Sequence, residues 1–142
     1  MGESAEVMRR DIAAFNAQDA KEIMAVCSPE CEKEFPGARL RGADQILAWR
    51  SALWEAFPDV QLTITRVVEE GSAVAIQGRA TGTHRGTLRT PTGDIPPTDR
   101  RVDIVWADDY EIRGGVIVST RLHFDRLEML EQLGVAPATA LA

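Results

Sequence analysis

Apolar residues fall at helical spacing in the first half of the chain and alternate with polar ones in the second. Between residues 4 and 16, Val7, Met8, Ile12 and Phe15 form one stripe, with Ser4 placed to cap the helix. A shorter helix carrying Ile23, Met24 and Val26 follows Asp19 and stops before Pro29, because a residue that precedes proline is disfavoured in the helical region. Residues 30–35 read as a short strand ended by Pro36-Gly37. The strongest helical pattern spans 42–57: Ile46, Trp49, Leu53 and Phe57 make an apolar stripe, Asp44 sits in the first turn, and Pro58 lies just past the end. From residue 60 the period changes to two. Val60, Leu62 and Ile64 alternate with Gln61, Thr63 and Thr65, as in a half-buried strand. Glu70-Gly71-Ser72 turns the chain into a second strand over 73–83, and 102–112 and 116–124 are two more strands around Gly114-Gly115. Residues 127–133 form a last piece of helix before Gly134. The intervening 85–101 holds Gly86, Pro91, Gly93, Pro96 and Pro97 and reads as one long irregular loop, of a length that compact domains reserve for lids and binding loops. Helices followed by antiparallel strands predict an α+β fold in which the helices cover one face of a curved sheet. The 142 residues contain no repeat and fit a single domain, 1–142.

Composition narrows the classes of function. Twenty-two acidic residues against 16 basic ones give a formal charge of −6, which opposes nucleic-acid and anionic-membrane surfaces, since both recruit clustered Lys and Arg. No apolar run approaches the ~20 residues of a membrane span. The acidic start Met1-Gly2-Glu3-Ser4-Ala5-Glu6 lacks the basic and apolar regions of a signal peptide, so the expected location is cytoplasmic. Cys27 and Cys31 are four apart, but His84 and His123 are far from them and from each other, so the spacing predicts reduced thiols and no metal site. Gly82-Thr83-His84-Arg85-Gly86 matches no phosphate-binding fingerprint, and no nucleophile elbow occurs, so no cofactor is expected.

Candidate chemistry comes from the last two strands. A two-residue turn at Gly114-Gly115 sets a pairing in which Ile112 faces Ile117, Tyr110 faces Ser119, Asp108 faces Arg121, Trp106 faces His123 and Ile104 faces Asp125, all on one side. Val105, Ala107, Val116, Val118, Leu122 and Phe124 occupy the other side. The pattern leaves two assignments open. Either the helices cover the apolar side and the mixed side is solvated, or they cover the mixed side and a second subunit covers the apolar one. In the second case Asp125 sits among aromatic and aliphatic neighbours that disfavour its charge and raise its pKa toward general acid/base use. Asp108 opposite Arg121 reads as a cross-strand ion pair. His84 lies on the Val74, Ile76 and Ala80 side of its strand, either as a satisfied core histidine or as a ligand contact.

Four stretches then carry a resemblance: Ala13-Ala14-Phe15-Asn16-Ala17-Gln18-Asp19, Glu55-Ala56-Phe57-Pro58-Asp59, Gly82-Thr83-His84-Arg85-Gly86 leading to Pro96-Pro97-Thr98, and Phe124-Asp125-Arg126-Leu127 with Glu131-Gln132-Leu133-Gly134. In this order they resemble the SnoaL-like polyketide cyclases of the nuclear-transport-factor-2-like, ketosteroid-isomerase-like superfamily. The resemblance implies a cone-shaped α+β barrel around a cavity, and ring closure by an intramolecular aldol reaction without metal or coenzyme. It implies an acid/base aspartate at the position of Asp125, on a face that lines the cavity. On that basis His84 or His123 would donate a hydrogen bond to an enolate oxygen, and Trp106, Tyr110 and Trp49 would stack on a hydrophobic, carbonyl-containing small-molecule substrate. Asp108 and Arg121 would add polar contacts. The superfamily's habit of pairing through the outer sheet face implies a homodimer built on Val116, Val118, Leu122 and Phe124. The chain departs from many relatives in having Arg121 where they carry an aromatic residue. Isomerase, hydroxylase-like and epoxide-hydrolase chemistry, or ligand binding without catalysis, would use the same cavity.

Overall fold

The structure, a computed structural model, describes residues 2–135. Two helices, α1 (Glu3–Asn16) and α2 (Ala20–Val26), lead into β1 (Cys27–Phe35) and β2 (Ala38–Arg41), followed by α3 (Ala43–Ala56). Then come β3 (Gln61–Glu70), β4 (Ala73–Thr83), the short pair β5 (Leu88–Thr90) and β6 (Gly93–Ile95), β7 (Arg101–Arg113), β8 (Val116–Phe124) and α4 (Arg126–Gln132). Six strands form one sheet in the order β2-β1-β8-β7-β4-β3, antiparallel except for the parallel neighbours β1 and β8. Met8 and Ile12 of α1 and Ile46 of α3 share one core with Val74, Ile76, Trp106, Tyr110 and Ile112 of the sheet, so both helices lie on one face, as the α+β pattern predicts. No helix among the described residues is long and apolar enough to cross a membrane.

The helix ends show local and distant chemistry at work. The α3 stripe starts and stops as its sequence predicts, with Gly42 at the N-cap in a left-handed region (φ 93°) that a side chain would strain. In α1 the helix begins before Ser4, so Ser4 cannot cap it. The free N–H groups of Gly2 and Ala5 instead donate to the Glu69 carboxylate of β3, at 2.7 Å each.

Three stretches differ from expectation. β1 begins at Cys27, directly at the end of α2, and runs through Pro29, where its pairing with β8 is irregular and a missing N–H breaks no regular ladder. β2 follows the Pro36-Gly37 turn and pairs back onto β1. The 85–101 segment is not wholly irregular: Thr90-Pro91-Thr92-Gly93 turns the hairpin β5–β6, and Leu88 packs with Ala56, Phe57, Val102 and Leu133 in a second core.

The last hairpin decides which residues face inward. Its turn is the two-residue one expected, with Gly114 and Gly115 both at positive φ, and Ile112 pairs with Ile117. Val118 is then an extra residue, a bulge, and the pairing beyond it shifts: Tyr110 meets Thr120, Asp109 meets Arg121, Asp108 meets Leu122, Ala107 meets His123 and Trp106 meets Phe124. One added residue turns every later side chain of β8 to the opposite face. The expected pairs Asp108–Arg121, Trp106–His123 and Ile104–Asp125 therefore do not form. On β7 the mixed face of Ile104, Trp106, Asp108 and Tyr110 is the covered one.

Candidate active site

Between α1, α3 and the sheet lies a cavity of about 130 Å³. A space of this order holds one six-membered ring, since an engineered cavity of about 150 Å³ binds benzene. Phe15, Trp49, Phe57, Trp106, Tyr110 and Phe124 contribute to its walls. The chain's two other aromatic residues stand behind them: Phe35 stacks on Trp49 with ring centroids 4.6 Å apart, and Trp54 tilts against Phe15 at 5.8 Å. Every aromatic side chain thus serves this one wall, which fixes its shape and keeps water out.

Against these walls stand the polar side chains of Lys33 of β1, Arg50 of α3, Thr81 of β4, and Asp108 and Tyr110 of β7. Arg50 donates two hydrogen bonds to Asp11 of α1, at 2.6 and 2.8 Å, and the Tyr110 hydroxyl donates to Asp11 Oδ2 at 2.7 Å. Burial works to raise the Asp11 pKa, but the Arg50 charge and these hydrogen bonds hold it below the ordinary carboxylate range. Burial, and then the charges of Asp11 and Asp108, push the Tyr110 hydroxyl well above its usual range, so it stays protonated.

The second pair is looser. Lys33 Nζ donates to Asp108 Oδ2 at 3.4 Å and to Thr120 Oγ1 at 3.3 Å, and lies 5.5 Å from the centroid of the Trp49 ring. Among the described residues, Asp108 Oδ1 is buried without a hydrogen-bond partner, as is Trp106 Nε1. Burial raises the Asp108 pKa above the ordinary value, against the opposing pull of Lys33. The site thus holds one carboxylate saturated with donors and one with an oxygen to spare.

Of the residues singled out in the sequence, Trp49, Trp106, Asp108 and Tyr110 line the cavity. His84, Arg121, His123 and Asp125 do not. The Val118 bulge turns Arg121 and His123 outward, and Arg121 Nε donates to Glu34 at 2.8 Å. Asp125 is exposed and caps α4, its Oδ1 accepting from the Glu128 N–H at 3.0 Å. His84 is fully buried behind the wall, tilted against Phe57 at 5.3 Å, with Nδ1 accepting the Thr98 N–H at 3.2 Å. Burial lowers its pKa, and it fastens residues 98–100 to the end of β4. Leu122 and Phe124, expected on an outer dimer face, line the cavity instead. Among the described residues, no group of three or more His, Cys, Asp or Glu is clustered as metal ligands would be.

Lys33, Arg50 and Asp11 escaped the sequence reading, although each left a trace. Lys33 alternates with Cys31 and Phe35 on the less polar side of β1. Asp11 lies on the Met8, Ile12 and Phe15 stripe, and Arg50 follows Ile46 by four residues.

A family model for SnoaL-like polyketide cyclases matches residues 5–133. Among solved structures, the chain is similar to a protein from Jannaschia sp. CCS1 assigned as a SnoaL-like polyketide cyclase, at 23% identity over 95% of this chain and 94% of that one, with a TM-score of 0.85. It is similar to IdmH from Streptomyces antibioticus, assigned as a polyketide cyclase, at 25% identity over 94% and 100% of the two chains, TM-score 0.79. It also matches a protein of ketosteroid-isomerase-like fold from Catenulispora acidiphila, at 20% identity over 94% and 95%, TM-score 0.76. No curated protein matches the chain. The fold is the ketosteroid-isomerase-like α+β cone that the resemblance implied.

Proposed function

Because the chain belongs to the SnoaL-like polyketide cyclase family, we propose that it is an acid/base enzyme acting on a carbonyl-bearing, largely apolar small molecule, with aldol-type closure of a polyketide ring as the reaction. The observation that carries this is Asp108, a buried carboxyl in the cavity wall whose Oδ2 is held by Lys33 and whose Oδ1 has no partner among the described residues. A carboxylate whose pKa is raised by burial is a better base than a solvated one, and it holds the proton long enough to return it. Oδ1 would take the proton α to a carbonyl and later deliver one to the new alkoxide.

The charges around it suit that step. Asp11 and Arg50 cancel each other, as do Asp108 and Lys33 at rest. Once Asp108 accepts the proton, the Lys33 charge is left uncancelled beside the newly formed enolate. The Trp106 indole N–H, buried without an acceptor among the described residues, would be a further donor to a bound carbonyl oxygen. The aromatic walls seat one ring and keep bulk water from the enolate. Asp108 thereby takes the role that the family resemblance gave to Asp125, whose carboxylate is occupied as a helix cap.

Acetophenone, a single ring bearing a ketone, tests this without the natural substrate. In D2O the wild-type protein should accelerate exchange of the methyl protons, followed by proton NMR. Asp108→Asn should lower that rate by ~10²–10⁴-fold, the span general acid/base catalysis supplies, and Asp125→Asn should leave it near wild type. The reverse result would return the acid/base role to Asp125.

A further inference from the structure

Lysine is scarce in this chain. Of its 16 Lys and Arg residues, only Lys21 and Lys33 are lysine. Lys21 is exposed on α2, whereas Lys33 is 2% exposed and lines the cavity. The other buried cation there is Arg50, whose planar fork matches both oxygens of Asp11. Lys33 makes no comparable fit, with contacts of 3.4 Å to Asp108 and 3.3 Å to Thr120. What a lysine offers here and an arginine does not is the ability to lose its proton. The neutral amine is a nucleophile toward carbonyl carbon. Asp108, 3.4 Å from Nζ, stands within reach to receive that proton.

We propose that Lys33 forms a Schiff base with a ketone or aldehyde group of the ligand held in the aromatic cavity. The proposal rests on reading this cavity as a carbonyl site and adds a covalent step to it. The Lys33 ammonium passes one proton to the Asp108 carboxylate. The freed lone pair forms a C–N bond to the carbonyl carbon, the C=O π pair moves to oxygen, and a second proton of the nitrogen transfers to that oxygen, giving a carbinolamine. The Asp108 acid then protonates the hydroxyl group, the C–O bond breaks, water leaves, and the nitrogen lone pair closes the C=N bond. The products are a protonated imine, one water and the Asp108 carboxylate, so charge and protons balance. Asp108, a carboxylate again, takes the α-proton and leaves a neutral enamine, whose β-carbon is the nucleophile that an aldol closure needs. Trp49, 5.5 Å from Nζ, faces a cation both in the resting ammonium and in the iminium. Thr120 gives Nζ a second anchor on β8.

The test uses two probes. Pentane-2,4-dione should give a conjugated enaminone on Lys33, seen as a new near-ultraviolet absorbance. Acetophenone with sodium cyanoborohydride should give a reduced secondary amine that peptide mass mapping locates. Lys21 is the internal control: being more exposed it should react faster in the absence of a special site, and an excess of at least about tenfold at Lys33 is the result expected of a desolvated nucleophilic amine. Lys33→Arg, which keeps the charge, and Lys33→Met, which keeps the length, should both lose the enaminone signal, their folding checked by circular dichroism. Labelling of Lys33 no faster than Lys21 would overturn the proposal. So would wild-type acetophenone exchange in folded Lys33→Arg, which would leave Asp108 standing as a base without a covalent step. If Lys33 is labelled while Asp108→Asn exchanges acetophenone at the wild-type rate, the Schiff base stands and the acid/base assignment falls.

Discussion

Two buried ion pairs stand side by side under one aromatic wall, and they are built differently. Asp11 and Arg50 meet through two short hydrogen bonds, and Tyr110 adds a third donor to the same carboxylate. Asp108 and Lys33 meet through a single long contact, and one carboxylate oxygen is left unpaired. A buried charge is tolerable when its hydrogen-bonding capacity is filled, so the first pair can hold α1, α3 and β7 together at little standing cost. The second is under-satisfied, and this is the feature on which the proposed acid/base role rests. On the proposed reading, structure and chemistry fall to separate carboxylates, one on the α1 stripe and one on β7.

The strongest way to break the comparison is to neutralise each carboxylate in turn. Asp108→Asn should cost ~10²–10⁴-fold in acetophenone exchange while the fold survives. Asp11→Ala should instead act on stability, lowering the urea unfolding free energy by about 3–5 kcal/mol, because it strands the Arg50 guanidinium in the interior. If Asp11→Ala unfolds no more easily than wild type, the first pair is not the clamp described here.

A double change sharpens the contrast at somewhat smaller size. Replacing the loose pair by apolar groups, Lys33→Met with Asp108→Leu, removes a poorly satisfied buried pair and should raise stability by up to about 1–4 kcal/mol in the same urea titration, at the expense of activity. A loss of stability would show that the pair is structural after all.

The pH dependence of the melting temperature separates the two carboxylates by sign. Asp108 has a folded pKa above its unfolded value of 3.8, so its contribution is fully present below pH 3.8 and is lost as pH rises through the folded pKa. Asp11 has a folded pKa below 3.8, so its contribution is present above that value and is lost as pH falls through the folded pKa. Asp108→Asn should therefore flatten the decline on the alkaline side of pH 3.8, and Asp11→Asn should remove a decline on the acid side. Identical profiles for the two variants would contradict the assignment. The smallest effect belongs to Asp125. Asp125→Ala should cost ~1 kcal/mol, as the loss of a helix cap does, with acetophenone exchange unchanged.

Much of this was legible in the residues themselves. The apolar stripe of Ile46, Trp49, Leu53 and Phe57 gave α3 nearly to the residue, because helix burial repeats every turn and Gly42 and Pro58 mark its ends. The β7 alternation placed Trp106, Asp108 and Tyr110 on one face, and the structure puts all three in the cavity wall. What could not be read was the other half of the hairpin. Alternation within β8 is the same in either register, and nothing in Ile117-Val118-Ser119 marks Val118 as an extra residue, so the unbulged pattern puts Arg121 and His123 on the inner face that Leu122 and Phe124 occupy. Lys33 was passed over for another reason. In a strand carrying Glu30, Glu32 and Glu34, a lysine reads as one more solvated charge, and its partner Asp108 is 75 residues away. Pairings at that separation follow from the sheet order, which no local pattern contains.

The Val118 bulge has a consequence for how this site can change. Substitutions alter one cavity contact at a time. Deleting Val118 would close the ladder with Tyr110–Thr120, Asp108–Leu122 and Trp106–Phe124 paired as they are, whereas drawing Val118 into the ladder would slip the rest of β8 by one residue, bringing Arg121 and His123 inside and sending Thr120, Leu122 and Phe124 out. A relative that keeps the residue but pairs it, with no bulge, would present a polar, cationic interior to its ligand without any change of composition in the strand. The register of β8, as much as its composition, is therefore a heritable variable of what this cone can hold.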